Sequence, residues 1–178
     1  MAVTKKKTKR QALSRWIIII LLIVIILLLI RMCSPSPEED EVLLPDYAPE
    51  VSEPHAEQIP GDTGEKPENQ GSESVSLTYS NQVIIDLSEK SASLYFANPS
   101  RSNQDLIIQI VIQDEVIAQS SLIPAGYQIE TLDLLNDAVK KLREGGYEGT
   151  FMVHYYSQNT GGRAMVNTEI PIHIVIKK

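Results

Sequence analysis

Leu106-Ile107-Ile108-Gln109-Ile110-Val111-Ile112-Gln113 alternates along its length, with Leu106, Ile108, Ile110 and Ile112 on one face and Ile107, Gln109, Val111 and Gln113 on the other. A period of two with one apolar and one partly polar face predicts a half-buried β-strand. Asp114-Glu115 separates it from the apolar run Val116–Ser121, which is hairpin spacing. The glycine that tight hairpin turns favour is missing, so the turn type stays open. Upstream, Val75–Tyr79, Gln82–Leu87 and Ala92–Ala97 read as strands, closed off by the turn-rich stretch Asn98-Pro99-Ser100 and Ser102-Asn103. Downstream, Pro124-Ala125-Gly126 makes a turn into a strand at Tyr127–Leu132. A short helix follows, capped by Asp133 or Asn136, with Leu135, Val139 and Leu142 on one side and Gly145 as its stop. Tyr147–Ser157 is a long strand, and Asn159-Thr160-Gly161-Gly162 turns into a last one at Ala164–Ile176, whose inward set is Val166, Thr168, Ile170, Ile172, Ile174 and Ile176.

About seven short strands with short connections in one stretch of chain predict an all-β fold, an immunoglobulin-like antiparallel β-sandwich over residues 75–178. Leu142-Arg143-Glu144-Gly145-Gly146-Tyr147 resembles the tyrosine corner of immunoglobulin-like and fibronectin-like domains, with Leu142, Gly145 and Tyr147 as its fold-determining residues. That resemblance implies that the Tyr147 hydroxyl bonds back to the main chain just upstream. The domain departs from the antibody type in lacking a cysteine pair and a core tryptophan, since the chain's one Cys is Cys33 and its one Trp is Trp16.

Ahead of this domain the chain changes character twice. Ile17 to Ile30 is fourteen uninterrupted Ile, Leu and Val residues. At about 1.5 Å per residue they cover ~21 Å of a hydrocarbon core of ~30 Å. Trp16 suits the headgroup region, and Arg15 and Arg31 extend the span by snorkelling outward. The segment 16–33 is therefore a transmembrane helix anchored by Trp16, Ile17, Ile30 and Arg31; a buried soluble helix would show a polar face. Lys5, Lys6, Lys7, Lys9, Arg10 and Arg15 precede it and only Arg31 follows closely. This asymmetry makes residues 1–15 a cytoplasmic tail and places everything after the span outside the cell membrane. A cleaved signal peptide is the rival, but Arg31-Met32-Cys33-Ser34 offers no small-x-small site. Arg31 and Met32 likewise occupy positions where a lipoprotein box would carry small residues before Cys33.

Residues 34–74 hold seven of the ten prolines and twelve acids against one lysine. Apolar side chains there are too scattered to offset the cost of ordering, so this stretch reads as a disordered stalk. Extended, it would reach on the order of 130 Å. Leu43-Leu44-Pro45-Asp46 superficially matches a sortase signal, but that signal needs a trailing apolar tail, and none follows.

A basic start, one span, a Pro/Glu-rich stalk and an immunoglobulin-like head together resemble the small single-pass surface proteins of Gram-positive bacteria. The resemblance implies a membrane-anchored extracellular interaction module of the cell envelope, with the lipid bilayer and an envelope protein as partners. A second reading is a structural subunit of an envelope-spanning secretion, conjugation or pilus assembly.

The chemistry-bearing residues point away from catalysis. The net charge of −7 argues against a nucleic-acid partner. Gly-x-Ser-x-Gly is absent, and the glycine pairs at 145–146 and 161–162 lack the lysine of a phosphate loop, so no cofactor is implied. One cysteine excludes a thiolate zinc site, the acidic run Glu38-Glu39-Asp40-Glu41 has no shaped cage, and no metal is expected. His55 falls in the stalk. His154 and His173 sit on the last two strands and would need a third ligand to hold a metal. Tyr95-Phe96 and Tyr155-Tyr156 each put one aromatic on either strand face, which makes Tyr95, Tyr155 and Tyr156 candidates for an interaction surface.

Overall fold

The structure, a computed structural model, describes Leu21, residues 44–64 and residues 74–178. The basic tail, the proposed span apart from Leu21 (so including Trp16, Ile17, Ile30 and Arg31), and residues 34–43 and 65–73 lie outside the described residues. Among the described residues no helix is long and apolar enough to cross a membrane.

The fold is all-β. Its strands are β1 (Ala56–Gln58), β2 (Thr78–Tyr79), β3 (Gln82–Asp86), β4 (Ser91–Asn98), β5 (Gln104–Ile112), β6 (Glu115–Gln119), β7 (Tyr127–Asp133), β8 (Gly145–Ser157) and β9 (Arg163–Lys177), with one short helix, α1 (Asn136–Lys141), before β8. Two separate sheets were expected. The strands instead form one curled sheet in the order β1-β7-β4-β3-β9-β8-β5-β6, with β2 alongside β4. The reason is β3, which pairs antiparallel with β4 (Ile84 opposite Ser93) and parallel with β9 (Ile84 opposite Val175). At the far side the sheet nearly meets itself, through a bridge between Ala118 and Leu134 and a bond from the Leu135 N–H to the Ile117 carbonyl at 2.9 Å.

Inside the curl lies the main core, with Leu106, Ile108 and Ile110 of β5 packed among Phe96, Phe151, Ile170, Ile172 and Ile174. Phe96 and Phe151 meet edge-on at 5.5 Å between ring centres, a favoured aromatic geometry. Gly149 is the point of closest approach. A β-carbon there would lie 2.5 Å from Ile174 Cδ1 and 2.8 Å from the Val111 carbonyl oxygen.

Residues 44–64, read from the sequence as part of the stalk, are a strap laid on this sheet. Main-chain bonds from the Ala48 N–H to the Gly161 carbonyl (2.7 Å) and from the Arg163 N–H to the Asp46 carbonyl (2.9 Å) fix its start at the β8–β9 turn. Further along, the Glu53 N–H reaches the Leu122 carbonyl at 2.8 Å, and the buried Glu53 carboxylate accepts the Ser121 N–H at 2.6 Å. The strap then doubles back as β1, antiparallel to β7. It therefore bridges the segment after β6 to the open edge of β7. Leu44 and Ala48 also cover a second apolar cluster of Ile107, Leu122 and Tyr156 on the outer side of the sheet.

Four local expectations change. The hairpin between β5 and β6 turns at Gln113 and Asp114, with φ of 51° and 65°, rather than at Asp114-Glu115. Positive φ at both corners matches the strand twist even without glycine. The N-cap of α1 is Leu135, with no side-chain cap bond, so neither Asp133 nor Asn136 caps it. The helix ends at Leu142, which is extended; Gly145 (φ 148°) instead opens β8. Val166 is 72% exposed. Arg163 and Asn167 of β9 oppose Tyr156 and His154, so three β9 residues face the single Tyr155, and this bulge turns Val166 out of the inward set.

Gly149→Ala should destabilise the domain by about 1–3 kcal/mol, because β9 or the β5 backbone must shift to admit one methyl group. Urea denaturation measures it, with Gly146→Ala as control, since a β-carbon at Gly146 meets nothing within 4 Å.

Candidate functional site

β8 runs thirteen residues from Gly145 to Ser157, which at about 3.4 Å per residue is roughly 40 Å. The strap docks beyond its C-terminal end, at Gly161 and Gly162. At its N-terminal end lies a cleft of about 560 Å³ lined by Leu87, Val139, Leu142, Arg143, Glu144 and Lys178. Leu87, Val139 and Leu142 give it an apolar floor, while Arg143, Glu144 and Lys178 put charge at its rim. Such a concavity, apolar with a few polar groups, is the usual form of a recognition site.

Each wall is placed by main-chain geometry. The Leu87 N–H donates to the Lys177 carbonyl at 2.9 Å, which sets the β3–β4 turn beside the end of β9. Helix α1 turns Val139 toward the core. The Arg143 guanidinium donates to the carbonyls of Lys140 (3.2 Å) and Leu142 (3.0 Å), satisfying acceptors at the helix end. The Tyr147 hydroxyl donates to the Arg143 carbonyl at 3.1 Å, tying the rim to the first turn of β8. Lys140 pairs with Asp137 at 2.6 Å and Lys141 with Glu115 at 2.5 Å. The lysine holds the Asp137 carboxyl below the usual carboxylate range.

The aromatic candidates lie elsewhere and do not converge. Tyr155 and Tyr156 are buried while the strap is in place, so neither is exposed on the surface of the head. Tyr155 belongs to the main core and donates its hydroxyl to Thr168 Oγ1 at 2.6 Å. Tyr156, on the other face of β8, is covered by the strap and donates to the Pro45 carbonyl at 2.9 Å; burial raises its pKa. Tyr95 is half-buried, its hydroxyl 3.3 Å from Gln128 Oε1.

The histidines are equally scattered. His55 Nε2 lies 3.4 Å from Asp133 Oδ2 across the strap, and His173 Nδ1 lies 2.8 Å from Glu148 Oε1 on an exposed face. His154 is buried beside Gln109 Oε1 at 3.3 Å, opposite Asn167, six positions along β9 from His173. Among the described residues no group of three His, Cys, Asp or Glu side chains is placed to hold a metal ion. The cleft escaped sequence reading because its lining comes from three separated segments. The one local signal was Leu142 and Tyr147, which the sequence flagged for the fold and not for a site.

Two measurements follow from these placements. Tyr147→Phe keeps the ring and deletes the bond to Arg143, at a cost of about 0.5–1.5 kcal/mol. Tyr79→Phe, on a ring stacked 6.2 Å from Phe96, should leave the melting temperature within noise. Burial, and secondarily Arg163, lower the His154 pKa from its ordinary 6.5. Its neutral form is favoured in the fold, so the unfolded chain binds the extra proton. Stability should then be intact above pH 6.5 and fall as the pH drops below it, and His154→Gln should flatten that slope in thermal melts at pH 7.5 and 5.

No protein-family model matches this chain, and no curated protein sequence matches it. Among solved structures it is similar to AggA, the major subunit of aggregative adherence fimbriae type I from Escherichia coli, at 10% identity and a TM-score of 0.30, over 58% of this chain and 95% of that one.

Proposed function

We propose that this protein is a membrane-anchored, extracellular, non-catalytic interaction module of the cell envelope, of the kind found among small single-pass Gram-positive surface proteins. Its head is immunoglobulin-like and presents the cleft between α1 and the end of β9 to an envelope partner. The observation that carries this reading is the opposition of the two ends: the chain leading from the N-terminus joins the head at the β8–β9 turn, and the cleft sits about 40 Å away at the other end of β8. A tethered module gains from that arrangement, because the site lies at the end of the head opposite the point where the chain enters it.

The strand order supports the fold assignment. β7-β4-β3 and β9-β8-β5 correspond to strands E-B-A and G-F-C of the immunoglobulin fold, with β3 in the place of strand A, shared between the two halves. The hydroxyl bond of Tyr147 at the start of β8 falls where that fold carries its tyrosine corner. The scatter of His55, His154 and His173 supports a binding rather than a catalytic role.

Protease added to intact protoplasts should remove the head and leave a membrane-bound stub that begins at residue 1. A mature N-terminus beyond residue 33, or a head protected until the membrane is opened, would overturn the proposed topology.

A further inference from the structure

The strap is attached to the head in an unusual way for a segment that covers so much of it. Glu53 is its one fully buried side chain; Leu44, Ala48 and Ala56 are partly buried, while Tyr47 and Val51 are 70% and 65% exposed. Its hold is mainly a row of hydrogen bonds met in sequence from the N-terminal end: Pro45 with the Tyr156 hydroxyl, Asp46 and Ala48 with the β8–β9 turn, Glu53 with Ser121 and Leu122, β1 with β7, and the Ile59 N–H with the Gly126 carbonyl. The main core, in contrast, is built from residues 75–178 with Ala56 as the strap's only contribution.

We propose that residues 44–64 form a force-releasable latch. Tension between the two chain ends enters the head at Leu44 and at Lys177–Lys178. At Leu44 it meets the strap's contacts one after another, so they part singly. Behind the strap it meets the bonds of Ser74 and Ser76 with Asn103 and Ser102, then β2 on β4, and then β3 and β9, parallel neighbours joined over five consecutive positions from Gln82–His173 to Asp86–Lys177. Load drawn toward the start of β3 and the end of β9 acts on all five positions together, in shear. The strap therefore yields first and the head survives it. Its departure frees the backbone edge of β7 at Tyr127–Ile129 and uncovers Ile107, Leu122 and Tyr156. A freed strand edge is a surface on which an extended peptide can pair. The latch thus couples pull on the chain to exposure of a second docking edge.

The test is single-molecule pulling of the full chain in detergent, with handles at residues 1 and 178. It needs no membrane, so its outcome is separable from that of the topology experiment. The expected trace shows a reversible low-force step ahead of head unfolding, with a gain on the order of 100 Å from chain released between residues 44 and 76. The bridge between Tyr47 and Gly162 provides a lock. In a Cys33→Ser background, Tyr47→Cys with Gly162→Cys should abolish the early step when oxidised and restore it on reduction. The reduced form of the same variant is the control for folding. A single unfolding event with no earlier step, or an early step that persists in the oxidised lock, would overturn the proposal.

Discussion

Strand β3 hydrogen-bonds on both of its edges, and the rest of the architecture depends on that. Gln82–Asp86 lies antiparallel to β4 on one side and parallel to β9 on the other, so what would have been two facing sheets is one surface folded around a core. Its side chains obey the same constraint. Val83 and Ile85 are buried, whereas Ile84 is 45% exposed and sits next to Val175, itself 55% exposed. A strand this short, five residues, still holds because both edges are paired and its inner face is fully apolar. Joining the sheet here leaves a gap on the opposite side, between β7 and the segment after β6. The Ala118–Leu134 bridge closes one end of that gap, and the strap closes the other.

The strap also explains why the outer face of β5 and β8 is not a solvent face. Ile107, Gln109, His154 and Tyr156 would be poorly placed on an open surface. Beneath Leu44, Pro45 and Ala48, Ile107 and Tyr156 form a second, small core. Gln109 bonds Gln119 at 2.6 Å and approaches His154, so the polar members of the face satisfy one another. Burial that raises the Tyr156 pKa and lowers that of His154 has one origin: both groups are held in their neutral forms where water is excluded. Glu53 Oε atoms accept main-chain N–H groups from Ser121, at 2.6 Å, and from His55, at 3.4 Å.

The inner strands were legible in the sequence because alternation is enforced wherever one face meets a core. Leu106 to Ile112 and Ile170 to Ile176 keep it without a break, and the turns at Pro124-Ala125-Gly126 and Asn159–Gly162 carry the residues their backbones require, including positive φ at Gly126 and Gly161. The strap was illegible for a complementary reason. A segment held by its main chain leaves almost no pattern in its side chains, and Glu53, Pro45 and Asp46 read as solvated stalk residues. With the strap unseen, whichever of Tyr155 and Tyr156 left the core could only be read as exposed. The cleft was hidden too, because Leu87 and Lys178 are brought to Val139 and Leu142 by topology and not by spacing.

The sheet's edges complete the argument. β7 is covered by β1, and the far side of β6 is met by Leu134 and Leu135. β9 from Ala164 to Pro171 has no strand opposite β8 among the described residues. An exposed edge of this kind invites pairing with other chains unless something spoils it. Three features do. The bulge at 164–166 breaks the regular ladder, and Glu169 places a charge on the exposed face. Pro171 lies two residues before His173, whose N–H bonds the Asn81 carbonyl on the β3 side at 2.8 Å. By alternation the N–H of residue 171 would point to the same side, just past the end of β3, and proline has none to offer. Proline is tolerated there for that reason, and it ends the edge where β3 stops covering it. The β7 edge at Tyr127–Ile129 carries none of these features, and among the described residues it is the strap that pairs with it.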